Sequence, residues 1–579
     1  MSSFSTPTNI TSYPFNKNQI EYIKQDEFAN SNYPIVYIIY NVNSKVAYVG
    51  ESTNAINRMA NHLAHPEKSK LKFVYIISSM TFNKSATLDI ESYLIQYLTA
   101  SGNFKLLNGN GGVSSHNYYQ KDQYFELFKD IWGKLQFGNV KLKNLLELEN
   151  SNLFKYSPYK SLSEDQYASV LDILDSYASN QHNTLFVNGS AGTGKTILAV
   201  YLIKLLAMVS TNALDDLDIE DEILLARLIK LKNIFPNGIS IGLVVPMSSL
   251  RSTLKKVFGS IYGLSQSMVI GPNDVIKKEY DIVIVDEAHR LTRRKGIMGY
   301  GSFDNVNRKL GLYHSEVING QRVQSAEKNG TQLDWIMKSS KRQLFFYDSE
   351  QSIKPADIRK EDFDKIKNLE KAKEIYLVSQ MRSKGGTNYI EFVNNLMYCS
   401  LLEKSEVFNN ANYELFLFTD MNDMVFELQK KEDKFGLCRT ISGFSWEWLS
   451  SINDVPDVVL DGVALKWNKK NNTSDWINKT NDVTEMGCIH TTQGYDLNYA
   501  AIIFGKEIDY CPLTNQIIID KKNYYDKKGG QGIKEPKELQ EYIIKIYKTI
   551  MFRGIKGTYV YVCNDNLREY FQKHIALKV

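Results

Sequence analysis

Residues Leu185 to Ala199 read LFVNGSAGTGKTILA, and the organisation of the chain can be worked outward from them. An apolar run, Leu185-Phe186-Val187, leads into Gly189, Gly192, Thr193, Gly194, Lys195 and Thr196. A helix-like apolar pattern begins at Ile197. Strand, glycine-rich loop, Lys-Thr and helix together spell a phosphate-binding loop. Glycines let backbone N–H groups turn inward around phosphates, and the following helix offers them its positive end. Lys195 has the reach for terminal phosphates, and the Thr196 hydroxyl suits Mg²⁺. The plain alternative is a glycine-rich turn before a core helix.

A second stretch supplies the acids such a loop needs. Asp281 to His289 reads DIVIVDEAH, an apolar strand ending in two carboxylates. Asp286 is expected to hold Mg²⁺ through its shell, and Glu287 to orient and deprotonate water. Two surface acids after a buried strand are common. Downstream of a phosphate loop, the pair points to ATP hydrolysis.

The bulk numbers bound the rest. With 579 residues the chain can hold several cores, and its 43% hydrophobic and 23% charged content is that of a folded protein. A formal net charge of +4 neither singles out a nucleic-acid binder nor excludes one, because clefts act locally. Cys399, Cys438, Cys488, Cys511 and Cys563 are scattered, without zinc or redox spacing, and read as reduced thiols in a cytoplasm. No apolar run has membrane-spanning length. Strands alternating with helices place the chain in the α/β class. The expected divisions are a polar arm at 1–33, a small domain at 34–115, a helical connector at 116–158, and two larger domains at 159–375 and 376–579.

The small domain has its own pattern. The strand Pro34 to Tyr40, a turn, and the strand Val46 to Gly50 read as a hairpin. A helix carries Arg58 and His62, four residues apart and so on one face. A strand over Phe73 to Ile77 and an amphipathic helix from about Ser85 to Tyr97 follow, and then Leu106-Leu107-Asn108-Gly109. This stretch resembles the GIY-YIG endonuclease family. Val36-Tyr37-Ile38 stands for GIY, Tyr48-Val49-Gly50 for YIG, and Arg58, His62, Glu91 and Asn108 fall in the family's order. Val36 in place of the first glycine is a departure. The resemblance implies phosphodiester hydrolysis, in which Tyr37 or Tyr48 relays the proton with help from His62. Glu91 would anchor one Mg²⁺ or Mn²⁺, and Arg58 would hold the phosphate. Two core tyrosines and a solvated helix acid are the alternative. The connector is assigned packing and no chemistry.

From about residue 160 onward the phrases form a second set. Ser163 caps a helix carrying Gln166. An acidic stretch at 214–222 reads as an exposed insertion. The strand Ile239 to Val245 ends at Ser248, Ser249 and Arg251. Arg290, Arg293, Arg294 and Lys295 follow the acidic strand, as a nucleic-acid rim or a solvated loop. The strand from Leu344 ends in Asp348 and Gln351. LVSQMRSKGG contains Arg382, GCIHTTQGYD contains Gln493 and Gly494, and FRGIKGTYVYV contains Arg553. Phe444, Trp446 and Trp448 either stack bases or, as we favour, sit in core. In this order the phrases resemble the DUF2075 or Schlafen-like branch of superfamily-one helicases. The resemblance implies that Gln166 reads the adenine edge, and that Ser248, Ser249 and Arg251 touch the nucleic-acid backbone. It also implies that Gln351 senses the γ-phosphate, that Arg382 faces the phosphates, that the Gly494 segment contacts nucleotide and nucleic acid, and that Arg553 is the arginine finger. Phe552 stands where the family usually has Thr.

The expected molecule is therefore an α/β protein with a small GIY-YIG-like α/β nuclease domain and two RecA-like P-loop domains with parallel sheets. Its expected cofactors are ATP and Mg²⁺ or Mn²⁺. Its expected partner is nucleic acid, DNA before RNA, with no membrane and with a protein partner or homo-oligomer left open. Anti-phage defence is the role that the fusion suggests. The alternative is a nucleic-acid-stimulated ATPase switch acting on RNA or a protein partner, with the first module only docking.

Overall fold

A computed structural model describes residues 8–578 except 110, 112–117, 180, 212–220, 298, 319–320, 324–327, 353, 402–406, 454, 469–475, 493, 527–532 and 534. Gln493 and most of the acidic insertion lie outside the described residues. The chain divides into two compact units. One contains residues 1–179, 196–241 and 253–269; the other contains 180–195, 242–252 and 270–579.

The first unit opens with a five-stranded sheet of order β1-β4-β2-β3-β5. Its strands are β1 (Asn9–Pro14), β2 (Ile35–Asn41), β3 (Val46–Ser52), β4 (Phe73–Ser78) and β5 (Lys105–Leu106). β2 and β3 form the expected hairpin, with Tyr37 opposite Gly50 and Ile39 opposite Tyr48. The helices Ala55–Ala64 and Lys84–Ser101 begin at Asn54 and Asn83, whose side chains accept the amides of Asn57 and Ala86. Tyr37, Ile39, Tyr48, Met59, Val74 and Ile76 belong to one buried cluster. The second helix packs against β2 and β3.

Part of the arm read from sequence joins this sheet. Residues Asn9 to Pro14 pair antiparallel with β4, from Asn9 opposite Ser78 to Pro14 opposite Phe73. NITSYP carries little apolar alternation because it lies on the sheet edge, where a terminal Pro is tolerated. The connector helix Lys121–Lys134 sets Phe128 against Tyr97 at 5.0 Å between ring centroids, which is the packing role read for it.

The remaining strands build two further sheets. In the first, β6 (Thr184–Gly189), β7 (Ile241–Val244), β8 (Val269–Ile270), β9 (Tyr280–Val285), β12 (Ser340–Tyr347) and β13 (Ala372–Leu377) take the order β13-β6-β12-β9-β7-β8. β10 (Glu316–Ile318) and β11 (Gln321–Val323) make a separate hairpin. Pairings β13·β6, β6·β12 and β12·β9 are parallel. Strands buried on both faces explain the unbroken apolar runs at 185–187 and 282–285. The second sheet uses β14 (Glu414–Phe418), β15 (Cys438–Ser442), β16 (Val458–Leu460), β17 (Val463–Trp467), β18 (Glu485–Cys488), β19 (Leu497–Phe504) and β22 (Gly554–Val562). Their order is β14-β22-β19-β15-β18-β17-β16, parallel except for the β16–β17 hairpin. β20 (Ile508–Cys511) and β21 (Gln516–Ile519) form a last hairpin. The class is mixed α/β with parallel sheets. Among the described residues no helix is long and apolar enough to cross a membrane.

Candidate functional sites

Three strands of the first parallel sheet deliver polar groups at their carboxyl ends, the usual place for a ligand in such a sheet. β6 runs into the glycine loop, β9 into Asp286 and Glu287, and β12 into Asp348. In the loop, Gly192 and Gly194 hold φ of 87° and 79°, left-handed values that favour glycine. A Cβ on Gly192 would collide with the Gln380 carboxamide. Thr193 is buried and its hydroxyl donates to the Ser190 carbonyl at 3.0 Å. Lys195 is 6% exposed. Its ammonium donates to the carbonyls of Gly189 at 2.6 Å and Ser190 at 2.9 Å, and lies 3.5 Å from Asp348 Oδ2. Gln351 Nε2 donates to the same Asp348 oxygen at 2.6 Å, so Gln351 and Lys195 share one carboxylate. Thr196 follows Lys195 in the helix Lys195–Ser210.

The two acids differ in setting. Asp286 is fully buried and its amide donates to Val244 at 3.0 Å. Glu287 takes a left-handed backbone with φ of 51°, uncommon for a non-glycine residue and a mark of functional sites. Its Oε2 lies 2.8 Å from Nε2 of the wholly buried His289. Burial pushes the Glu287 carboxyl up. The charge and hydrogen bond of His289, with Lys195 and Arg553 nearby, win and hold it below the usual carboxylate range. The sequence DEAH does not reveal this role for His289, because its contact depends on how the chain bends after Glu287.

Arg382 and Arg553 come from the later part of the chain. Arg382 Nε pairs with Asp496 Oδ1 at 2.5 Å, two residues past Gly494. Arg553 is buried, and its guanidinium donates to the Tyr495 carbonyl at 3.3 Å. The amides of Met381 and Arg382 donate to the Gly192 carbonyl at 2.8 and 3.1 Å, and Gln380 Nε2 donates to Ala191 at 2.8 Å. The structure thus gathers the phosphate loop, Asp348, Gln351, Glu287, Arg382, the Gly494 segment and Arg553. Gln166 lies in the first turn of the helix Glu164–Ser179, nearly fully buried, with its Oε1 accepting the Ser163 amide at 3.1 Å.

A groove of about 600 Å³ is lined by Ser248, Ser249, Arg290, Lys354, Phe444 and His490, among others. Burial, with the Arg290 guanidinium beside it, pushes the Lys354 ammonium down to about 8. Lys354 carried no sequence signal. Arg251 donates to the carbonyls of Val245 at 2.7 Å and Pro246 at 3.3 Å. Arg290, Arg293 and Arg294 of the basic cluster are tied to the fold rather than loosely solvated, and Arg290 also lines the groove. Arg290 pairs with Asp357 at 2.6 Å, Arg293 donates to Pro355 at 3.0 Å, and Arg294 grips both Asp304 oxygens at 2.6 and 2.9 Å. Local sequence does not announce partners that lie so far along the chain. Phe444 stacks on Trp467 at 5.4 Å, and Phe444, Trp446 and Trp448 pack partly buried on a core cluster.

The hairpin module has a second constellation. Tyr37 OH lies 2.8 Å from His62 Nε2, and Arg58 Nε donates to it at 3.4 Å. Gly50 is required opposite Tyr37, because a Cβ there would strike the tyrosine ring. The rings of Tyr37 and Tyr48 lie 6.3 Å apart. Asn108 donates to the Val49 carbonyl at 2.8 Å and accepts its amide at 3.1 Å, so it holds the strand between Tyr48 and Gly50. Glu91 is half-buried on the helix Lys84–Ser101.

Both constellations suit the groups expected of them. Glycines with left-handed φ and a buried lysine at a helix start form a cradle for phosphates. The Thr196 hydroxyl and the carboxylates of Asp286 and Glu91 are each hard oxygen donors. No group of three or more His, Cys, Asp or Glu forms a cage among the described residues. Oxygen donors of this kind suit Mg²⁺, which commonly takes one or two carboxylates plus waters and substrate phosphate.

A glycine loop at the end of a parallel strand and, in the other unit, a tyrosine–arginine–histidine cluster point to one class: a helicase-type ATPase carrying an endonuclease domain. The chain belongs to the Schlafen group 3 DNA/RNA helicase domain family, which it matches over residues 182–564. Residues 33–104 match the GIY-YIG catalytic domain. An uncharacterized protein of Saccharomyces cerevisiae, YPL245W, is 23% identical over 454 residues, 72% of this chain and 90% of that protein. Pif1 helicase from Candida albicans is similar at 12% identity with a TM-score of 0.25, over 71% of this chain and 96% of that one. Pif1 helicase from Bacteroides, solved with ADP-AlF3 and ssDNA, is similar at 12% identity and a TM-score of 0.26, over 72% and 97%.

Proposed function

We propose that the protein is an ATP-driven nucleic-acid translocase whose GIY-YIG module cuts the strand it engages, with DNA before RNA as substrate. The observation that carries this is the meeting of Lys195, Glu287, Arg382 and Arg553 around one phosphate loop. In this reading the loop amides and Lys195 bind the phosphates, with Gly189, Gly192, Thr193 and Gly194 shaping the cradle. Mg²⁺, held by Thr196 and Asp286, would neutralise phosphate charge. Glu287, held ionised by His289, takes the proton from the water that attacks the terminal phosphorus, and ADP leaves. Arg553 stabilises the developing charge, Gln351 reports the terminal phosphate through Asp348, and Gln166 holds the adenine edge. Arg382 must exchange Asp496 for phosphate, and that exchange would couple nucleotide state to the Gly494 segment.

The groove lined by Ser248, Ser249, Lys354 and Phe444 is the path we assign to a single strand, with hydroxyls and a cation for phosphates and a ring for a base. In the nuclease module Arg58 holds the scissile phosphate, Tyr37 or Tyr48 with His62 passes the water's proton, and Glu91 would carry one divalent metal. Tyr48 completes the pair of tyrosines, and Asn108 keeps its strand in place. Restriction of foreign DNA in a cytoplasm is the role this fusion fits. The test incubates full-length protein with single-stranded and duplex DNA and RNA, with Mg²⁺, with and without ATP. Metal-dependent cleavage and DNA-stimulated ATP hydrolysis are expected. ATP hydrolysis stimulated by RNA alone, without cleavage, would replace the reading with an RNA-directed switch.

A further inference from the structure

Lys68 starts the short helical turn Lys68–Lys70 and is 4% exposed. A buried ammonium needs compensation. Its Nζ lies 3.8 Å from the centroid of the Tyr48 ring. That ring meets His62 edge-on, at 4.9 Å between centroids and 61° between planes. His62 in turn reaches Tyr37 OH at 2.8 Å, where Arg58 also donates. Five side chains therefore run in unbroken contact from Lys68 to Arg58. The turn is built to place the lysine: His65 Nδ1 accepts the amides of Glu67 at 3.1 Å and Lys68 at 3.3 Å.

We propose that Lys68 is a positioning residue of the nuclease site, acting through Tyr48. This rests on the reading of the module as a nuclease. A cation over an aromatic face is attracted to the ring's electron density, and the attraction grows as that density grows. A tyrosine hydroxyl that shares or yields its proton during hydrolysis makes its ring more electron-rich. Lys68 therefore steadies Tyr48 more in the transition state than before it, and the same contact fixes the ring against His62. Interactions that strengthen on the way to the transition state appear in kcat rather than KM.

Lys68→Met keeps most of the apolar stem and removes the charge. In full-length protein its kcat for metal-dependent cleavage should fall about tenfold, in line with a desolvated cation–π contact, while KM moves by less than about threefold. Lys68→Arg should restore most of the rate. In a Tyr48→Phe background Lys68→Met should cost nothing further. Parent-like hydrogen-exchange protection of the β2–β3 hairpin amides reports that each variant's nuclease module is folded; if Lys68→Met fails that check, Lys68→Arg decides alone. Parent-like cleavage by Lys68→Met, a loss confined to KM, a loss that adds to that of Tyr48→Phe, or a folded Lys68→Arg that does not cut would each overturn the inference. Glu91→Gln separates the two levels, because continued cleavage by that variant removes the nuclease reading itself.

Discussion

Glu287 and Lys354 show what single residues decide. Glu287 is held ionised by His289 against its own burial, so it should serve as base well into the acid range. Glu287→Gln should bind ATP with near-parent affinity and lose on the order of a thousandfold in turnover, since only water activation is removed. Equilibrium nucleotide binding beside steady-state hydrolysis checks this, and loss of binding would contradict the role. Lys354 works the other way. With its ammonium pushed down to about 8, it is charged below that pH and neutral above it. Affinity for a short single strand should therefore weaken as pH rises from 7 to 9, and Lys354→Arg should flatten the profile. Fluorescence anisotropy across that window tests it; parallel curves for parent and variant would remove Lys354 from the strand path. The glycine loop and the DEAH acids were legible because their chemistry demands those residue types in consecutive order. His289, Asp496 and Lys354 were not, because what each contributes is a contact made by folding.

At the scale of elements, the helix Lys195–Ser210 carries a liability. Lys204 on this helix is 4% exposed, and its ammonium donates to the Tyr262 carbonyl at 2.6 Å. Burial lowers it from 10.5 to about 8. Between those values the unfolded chain binds the proton and the folded one does not, so stability rises with pH through that window. Below about 8 the folded state carries the full penalty, ~3 kcal/mol from a gap of about 2.5 pH units at ~1.4 kcal/mol each. Lys204→Met should melt higher than the parent at pH 7, with the gap narrowing toward pH 10. A lower midpoint for the variant at pH 7 would show that the charge is compensated. Elements were also where sequence reading both worked and failed. The β2–β3 hairpin and the buried parallel strands announce themselves by apolar runs between turns. β1 does not, since an edge strand gains its place from β4 rather than from its own pattern.

Across the whole molecule the two chemistries draw on different residues. Glu91→Gln should abolish cleavage and leave ATP hydrolysis within about twofold, whereas Lys195→Ala should abolish hydrolysis, a loss of several powers of ten in such loops. Parallel assays on the two full-length variants test the separation, and loss of ATP hydrolysis in Glu91→Gln would show that one metal-dependent site serves both. The order of modules was legible because each brings several phrases in fixed succession; the groove was legible only in part, since Ser248 and Ser249 carried a signal and Lys354, brought beside them by folding, did not. One feature of the phosphate loop bears on time rather than place. Gln380, Met381 and Arg382 clip the loop through the carbonyls of Ala191 and Gly192, and the Gln380 carboxamide lies where a Cβ on Gly192 would be. If nucleotide entry requires that clip to open, its opening limits capture. In stopped-flow mixing, the observed rate of ATP capture should climb with concentration and then level off at the clip's own opening frequency, and Gln380→Ala should lift that ceiling.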